Sequence, residues 1–315
     1  MIAAVQRSGV FAGRVRRNIS LCREHFRLTL IVPDFPHAEP GQFVQVECHE
    51  EARDVDRPRV FEWAPGSTPG IAAEFSQQWP VLRRPFSIAG LRQAGDGVEL
   101  DLIGRTVGPG TRFLAMRQAG DAVSIIGPLG RAFTIDPDSS VHILVAGGVG
   151  IPPLLWLGQT IQQRGWRVIG IAGARSADLL PLQLMSEPDR DGEPVACSAD
   201  PAWRGLPVVV TTDDGSRGLR GTTADALRRV LGRIGDDAPR AAVYTCGPEA
   251  MMHAVSDVCA TFGVPCRAAL ERVMGCGMGT CQSCVVALKD DSARGWHYEL
   301  CCTQGPVFDA ARIIW

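Results

Sequence analysis

The sequence predicts a β + α/β protein: an antiparallel barrel, then a doubly wound parallel sheet, then a small C-terminal segment organised by cysteines. Three observations carry this. Up to Phe133 short β-prone runs are broken by Gly and Pro; from Asp136 strand-length apolar runs alternate with helical stretches; from Leu270 Cys and Gly dominate. The chain divides accordingly into 1–135, 136–268 and 269–315.

In the first part, residues 26–32, 42–47, 84–89, 98–103 and 122–126 each have strand length and composition. Turns such as Pro40-Gly41 and Gly108-Pro109-Gly110 separate them, the pattern of a small antiparallel barrel. Residues 50–79 are polar, contain Pro and Gly, have no period and read as a long loop or insertion. In the second part, a buried-strand run at 141–146 is followed at once by Gly147-Gly148-Val149-Gly150. A helix is expected at 154–164 and a strand at 167–172, with further strands at 207–211 and 241–245 and helices at 223–231 and 249–262. Strands alternating with helices specify a parallel sheet. The tail is too short to bury a core of its own, so a metal cluster would supply its stability.

Bulk properties narrow the function classes. The chain has 315 residues, 45% hydrophobic and 21% charged, with a mean hydropathy of +0.04. That suits two packed domains and an appendage. A net charge of −2 and a pI near 6.3 give no electrostatic reason for a nucleic-acid or anionic-membrane partner. The N-terminal residues Met1-Ile2-Ala3-Ala4-Val5-Gln6-Arg7 lack the apolar core of a signal peptide. No apolar run reaches the roughly 18 residues of a spanning helix. A cytoplasmic protein is expected.

Eleven cysteines in such a chain point to metal ligands rather than disulfides. Six are scattered, and an isolated cysteine is ordinarily a small buried hydrophobe. Cys276, Cys281, Cys284, Cys301 and Cys302 crowd the tail. The stretch Cys276-Gly277-Met278-Gly279-Thr280-Cys281-Gln282-Ser283-Cys284 is C-x4-C-x2-C, with a fourth cysteine downstream, the spacing of plant-type [2Fe–2S] ferredoxins. Small residues between the thiolates let backbone amides approach the sulfurs and stabilise their charge. Structural zinc is the rival, but it favours paired C-x2-C knuckles and one such pair is present. On spacing alone either Cys301 or Cys302 can be the fourth ligand.

Three further motifs fall on predicted strand ends. Arg84-Pro85-Phe86-Ser87 begins a barrel strand and can put a guanidinium on a pyrophosphate, supported by Arg105 and the Gly108-Pro109-Gly110-Thr111 turn. Taken alone, that turn is an ordinary barrel corner. Gly147-Gly148-Val149-Gly150 follows the first strand of the parallel sheet, where glycines admit a dinucleotide phosphate to a helix N-terminus, although it is not G-x-G-x-x-G. Cys246-Gly247-Pro248 ends another strand at the same sheet edge, which argues for one shared nucleotide site.

The chain thus resembles the ferredoxin–NADP reductase superfamily and, within it, the electron-transfer subunits of NAD-dependent dihydroorotate dehydrogenases. The resemblance runs through Arg84-Pro85-Phe86-Ser87-Ile88, Gly108-Pro109-Gly110-Thr111, Gly127-Pro128-Leu129-Gly130 and Ala146-Gly147-Gly148-Val149-Gly150-Ile151. It continues through Thr212-Asp213-Asp214-Gly215-Ser216, Gly218, Gly221, Cys246-Gly247-Pro248, Glu271, Met274, the cysteine loop and Gly305-Pro306-Val307-Phe308.

It implies FAD on Arg84, Pro85, Phe86, Ser87, Ile103, Gly104, Arg105, Gly110 and Thr111, and a nicotinamide nucleotide at Gly147, Gly148, Gly150, Cys246, Gly247 and Pro248. It also implies a [2Fe–2S] cluster on Cys276, Cys281, Cys284 and Cys302, the last preferred to Cys301 by its place three residues before Gly305. Ser87 and Thr111 are candidates for contacts near the flavin ring and Cys246 for a place beside the nicotinamide. The implied partner is a flavin-containing catalytic subunit that oxidises dihydroorotate, in a heterotetramer, with NAD(H) as the other redox partner. Arg175 leaves NADP open. Gly104 departs from the tyrosine frequent in the family, and the 50–79 stretch and the Cys284–Cys302 interval are long. The alternatives are a related reductase subunit serving a hydrogenase, sulfite reductase or ferredoxin partner, and a non-enzymatic zinc- or cluster-binding module.

Overall fold

Six strands close on themselves in the order β1-β2-β5-β4-β3-β6. They are β1 (Gly9–Cys22), β2 (His25–Val32), β3 (Phe43–Val46), β4 (Arg84–Ala94), β5 (Gly97–Arg105) and β6 (Ala122–Leu129). The computed structural model describes residues 8–49, 82–95 and 97–315. The N-terminal heptapeptide and the 50–79 stretch lie outside the described residues. Every ladder in the barrel is antiparallel, and the β1–β6 pairing closes it. Closure removes the edges that an open sheet would expose. Leu28, Leu30, Val44, Ile88, Leu100 and Ile125 are fully buried inside. The short helix α1 (Pro109–Ala115) plugs one end through Leu114.

The second part is a seven-stranded sheet ordered β10-β9-β8-β7-β11-β12-β15. Its strands are β7 (Val141–Gly147), β8 (Val168–Ala174), β9 (Val208–Thr212), β10 (Leu219–Arg220), β11 (Ala241–Cys246), β12 (Cys266–Ala269) and β15 (Val307–Asp309). All neighbours are parallel except β12 and β15. All seven residues of β7 are buried, as expected of a strand covered on both faces. Helix α2 (Ile151–Gln163) packs on one face, with Leu144 and Tyr244. Helices α3 (Thr223–Ile234) and α4 (Glu249–Phe262) cover the other, in one cluster with Val141, Ile143, Val145 and Val243. The alternation of Ile143 and Leu144 between the two clusters follows from the two-residue period of a strand. Helix α2 starts earlier than the predicted 154: Pro152 and Pro153 occupy its first turn, where a missing N–H leaves no hydrogen bond unmade. None of the described helices is long and apolar enough to cross a membrane.

The C-terminal tail is held by both larger parts. Strand β15 completes the parallel sheet as its one antiparallel member. Arg131, just beyond the barrel, donates its N–H to the Gly305 carbonyl at 2.7 Å. Between these anchors lie the cysteine loop and a hairpin of β13 (Val285–Lys289) and β14 (Trp296–Leu300). Cys284, Cys301 and Cys302 are buried in the same hydrophobic cluster as the apolar face of α4.

Candidate dinucleotide cleft and cysteine loop

The C-terminal ends of β7, β8, β9 and β11 open onto a cavity of about 610 Å³, within the size range of small-molecule sites. Its sheet-side wall includes Gly147, Gly148, Val149, Arg175, Asp213 and Pro248. Its barrel-side wall is His25 and Arg105, which face each other across the β2–β5 ladder. The register explains why the two predicted glycine turns meet: Cys246 pairs with Ala146, so the turns after β7 and β11 share one edge. A β-carbon at Gly150 would stand 2.3 Å from the Cys246 carbonyl oxygen, so only glycine lets these turns come together.

Cys246 itself is not among the cavity-lining residues. Its thiol is buried, and desolvation, reinforced by Glu271 and Cys301, pushes its pKa well above the ordinary value. Glu271 does line the cavity, and its carboxyl pKa is raised by burial.

Arg84, Pro85, Phe86 and Ser87 form the start of β4, opposite β3 residues Val46 to Phe43. The Arg84 guanidinium donates to the carbonyls of Leu82 (2.8 Å) and Arg83 (3.4 Å) and has no carboxylate partner among the described residues. Arg105, by contrast, is paired with Glu24 at 2.8 Å. Ile103 is buried, and Gly110 is buried within α1. The Thr111 hydroxyl accepts the N–H groups of Val107 (2.9 Å) and Gly108 (3.1 Å), so it is engaged in building the turn. The departure at Gly104 has a packing cause. A β-carbon there would lie 2.7 Å from the Phe26 ring and 2.8 Å from the Phe86 ring, which already fill that space.

In the tail the thiols stand in two pairs. The Cys276 N–H reaches Cys281 Sγ and the Cys281 N–H reaches Cys276 Sγ, each at 3.4 Å. Cys302 lies beside Cys284, whose thiol adds to burial in raising the Cys302 pKa, while the nearby Gly279 amide opposes that rise. A third amide, of Met278, lies 3.4 Å from Cys276 Sγ. Hydrogen bonds from Ser283 and from Cys276 hold the Cys281 thiol down at about 6. Burial pushes Cys302 up to about 12, so any metal it binds must displace its proton. Cys301 is also raised to about 12 by burial, but its Sγ turns away to the Leu270 carbonyl at 3.6 Å. No group of three His, Cys, Asp or Glu side chains among the described residues is arranged to hold a single ion.

Sequence reasoning missed His25 and Gln45. His25 is 4% exposed; its Nδ1 lies 3.0 Å from the Arg23 carbonyl, and its Nε2 has no partner among the described residues. Desolvation lowers its pKa. A lone histidine at a strand start carries no local signal, and its cavity position follows from the pairing with Arg105.

Residues 271–314 match the family model described as the iron-sulfur cluster binding domain of dihydroorotate dehydrogenase B. A dihydroorotate dehydrogenase B (NAD(+)) electron transfer subunit of Desulforamulus reducens is 32% identical over 309 residues, 98% of this chain and 99% of that one. The protein of the same name from Bacillus cereus strain AH187 is 32% identical over 278 residues, 88% and 87% of the two chains. Among solved structures, one of the NADH-dependent reduced ferredoxin-NADP oxidoreductase aligns with a TM-score of 0.71 at 23% identity, over 96% of this chain and 90% of the other. Phthalate dioxygenase reductase aligns at 0.54 and 17% identity, over 98% and 96%. These two support the fold, and the near-complete coverage of the relatives at 32% identity decides the family. The chain belongs to the electron transfer subunits of dihydroorotate dehydrogenase B (NAD(+)).

Proposed function

We propose that this chain carries electrons between NAD and a catalytic partner subunit that oxidises dihydroorotate, by way of FAD and a [2Fe–2S] cluster. The observation that carries the reading is the arrangement of four tail thiols as two pairs, Cys276 with Cys281 and Cys284 with Cys302. Two pairs suit a two-iron group, one pair to each iron, better than a single tetrahedral ion. The N–H groups aimed at Cys276 and Cys281 suit a negatively charged cluster, and the low pKa of Cys281 favours its thiolate. FAD supplies two-electron exchange with nicotinamide and one-electron exchange with the cluster when both are bound.

For the flavin, Arg84 offers a positive charge without a carboxylate partner among the described residues, which fits a pyrophosphate. Pro85, Phe86, Ser87, Ile103, Gly104, Arg105, Gly110 and Thr111 complete the proposed wall, with Thr111 acting through the turn it builds. For the nicotinamide nucleotide, Gly148 presents no side chain to the cavity and has nothing within 4 Å of where a β-carbon would stand. Phosphate there would meet the 148–150 turn and the start of α2, with Gly147, Gly150, Gly247 and Pro248 framing it. Cys246 contributes through its backbone at this edge, and its buried thiol takes no proton in the transfer. Hydride transfer needs orientation above all, which the cleft walls provide. The working assembly is a cytoplasmic heterotetramer with a flavin-containing catalytic subunit.

The test is the visible spectrum of anaerobically purified protein before and after NADH, with iron, sulfide and flavin assayed. Flavin and broad iron–sulfur bands that both bleach with NADH are expected. A colourless protein holding zinc on the tail thiols would overturn the reading.

A further inference from the structure

Gln45 sits in the middle of β3, paired with Pro85 of β4 and Ile126 of β6. Its side chain is fully buried, and neither Oε1 nor Nε2 has a hydrogen-bond partner among the described residues. A buried carboxamide with both ends unpaired is rare, because water is lost and nothing replaces it. What the amide does touch is the cysteine loop. Gly277 has φ +75, and a β-carbon there would stand 2.5 Å from Gln45 Nε2 and 2.7 Å from its Cγ. Glycine at 277 therefore serves two needs, a left-handed backbone and close approach to Gln45. Gly277 immediately follows Cys276, whose sulfur already receives the amides of Met278 and Cys281.

We propose that Gln45 is a positioning residue for electron transfer, its Nε2–H donating to the sulfur atoms around the Cys276 side of the [2Fe–2S] cluster. The inference rests on the function proposed for this chain. An N–H donor favours the reduced, more negative state of the cluster and so raises its potential. The donor comes from the barrel, so the part of the chain that holds the flavin also sets the potential of the next carrier. The carboxamide is anchored on a strand of a closed barrel, and the tail is tied to the same barrel through Arg131 and Gly305. The contact is thereby fixed at both ends.

The experiment compares the holoprotein with Gln45→Leu and Gln45→Glu, measuring cluster potential by EPR-monitored redox titration alongside flavin potential and iron, sulfide and FAD content. Leucine keeps the volume and removes the donor. Gln45→Leu is expected to keep its cofactors and to lower the equilibrium constant for cluster reduction about tenfold, or about 59 mV for one electron. Gln45→Glu, which replaces the donor by an acceptor, is expected to shift the potential the same way; should it fail to fold, Gln45→Leu decides alone. A Gln45→Leu protein with full iron and an unmoved cluster potential overturns the proposal, as does a shift confined to the flavin. Absence of cluster and flavin from the unaltered protein would instead refute the proposed function.

Discussion

Cys301 and Cys302 are neighbours in sequence with opposite surroundings. Both lie in the turn that follows β14, and there the Cys301 thiol meets the Leu270 carbonyl while the Cys302 thiol lies beside Cys284. Replacing Cys302 by Ala is therefore expected to abolish cluster binding, read as lost iron and sulfide in purified protein. Cys301→Ala should keep the full iron content and cost only about 1 kcal/mol for the small void left in the core. Loss of iron in Cys301→Ala with retention in Cys302→Ala would reverse the ligand assignment. The same scale explains the reach of sequence reasoning at the site. The cysteine loop and the glycine turns are legible because spacing and a strand-then-glycine order encode them locally. His25 and Gln45 are not. Each matters through a neighbour remote in sequence, Arg105 for one and Gly277 for the other.

Among the elements, the hairpin of β13 and β14 carries a charge device in its Cys284–Cys302 interval. His297 lies 3.1 Å from Glu299 and 2.8 Å from Asp290, and these hydrogen bonds raise its pKa above 6.5. The sign follows from linkage: with a folded pKa above the unfolded one, the stabilisation is complete below pH 6.5 and is lost as pH rises through the folded value. Asp290 has the opposite shift, lowered first by Ser292 and also by His297, so its share fades as pH falls through its lowered value. The hairpin should therefore be firmest between about pH 4 and 6.5, weakly so, since the groups are exposed and screened by salt. A proton NMR titration placing the His297 imidazole at or below 6.5 would refute this. The elements that escape the sequence do so for physical reasons. Strand β1 exposes much of its length, with Val15 as its one buried large hydrophobic residue, so it lacks an apolar stripe. Strands β12 and β15 have four and three residues, too few to show a period, and owe their state to pairing with each other and with β11. The interior strands of the barrel and of the parallel sheet are legible because burial writes them as apolar runs.

At the scale of the whole molecule, the cleft exists because barrel and sheet hold a fixed relation, and a buried ion pair joins them. Arg27 of β2 reaches Asp200 in the connection between β8 and β9, both at least nine-tenths buried. Asp200 also accepts the Ala202 N–H at 3.0 Å, so its carboxylate is held from its own side. Arg27 and Asp200 line one small cavity with Asp101 of the barrel, which accepts from Thr29 at 2.6 Å and from Arg92 at 2.9 Å. A buried pair gains little over a well-packed apolar pair, but removing one partner strands the other charge. Asp200→Ala is thus expected to destabilise the protein by about 3–5 kcal/mol in denaturant unfolding. The double variant Arg27→Leu with Asp200→Leu should recover most of that loss. If the pair also orients the two parts, the double variant will be stable yet slower in flavin reduction by NADH, since the walls bearing Arg105 and Gly148 would no longer be held in register. Destabilisation of the single variant within about 0.5 kcal/mol, the range of an ordinary surface change, would show that the pair does not hold the cleft together.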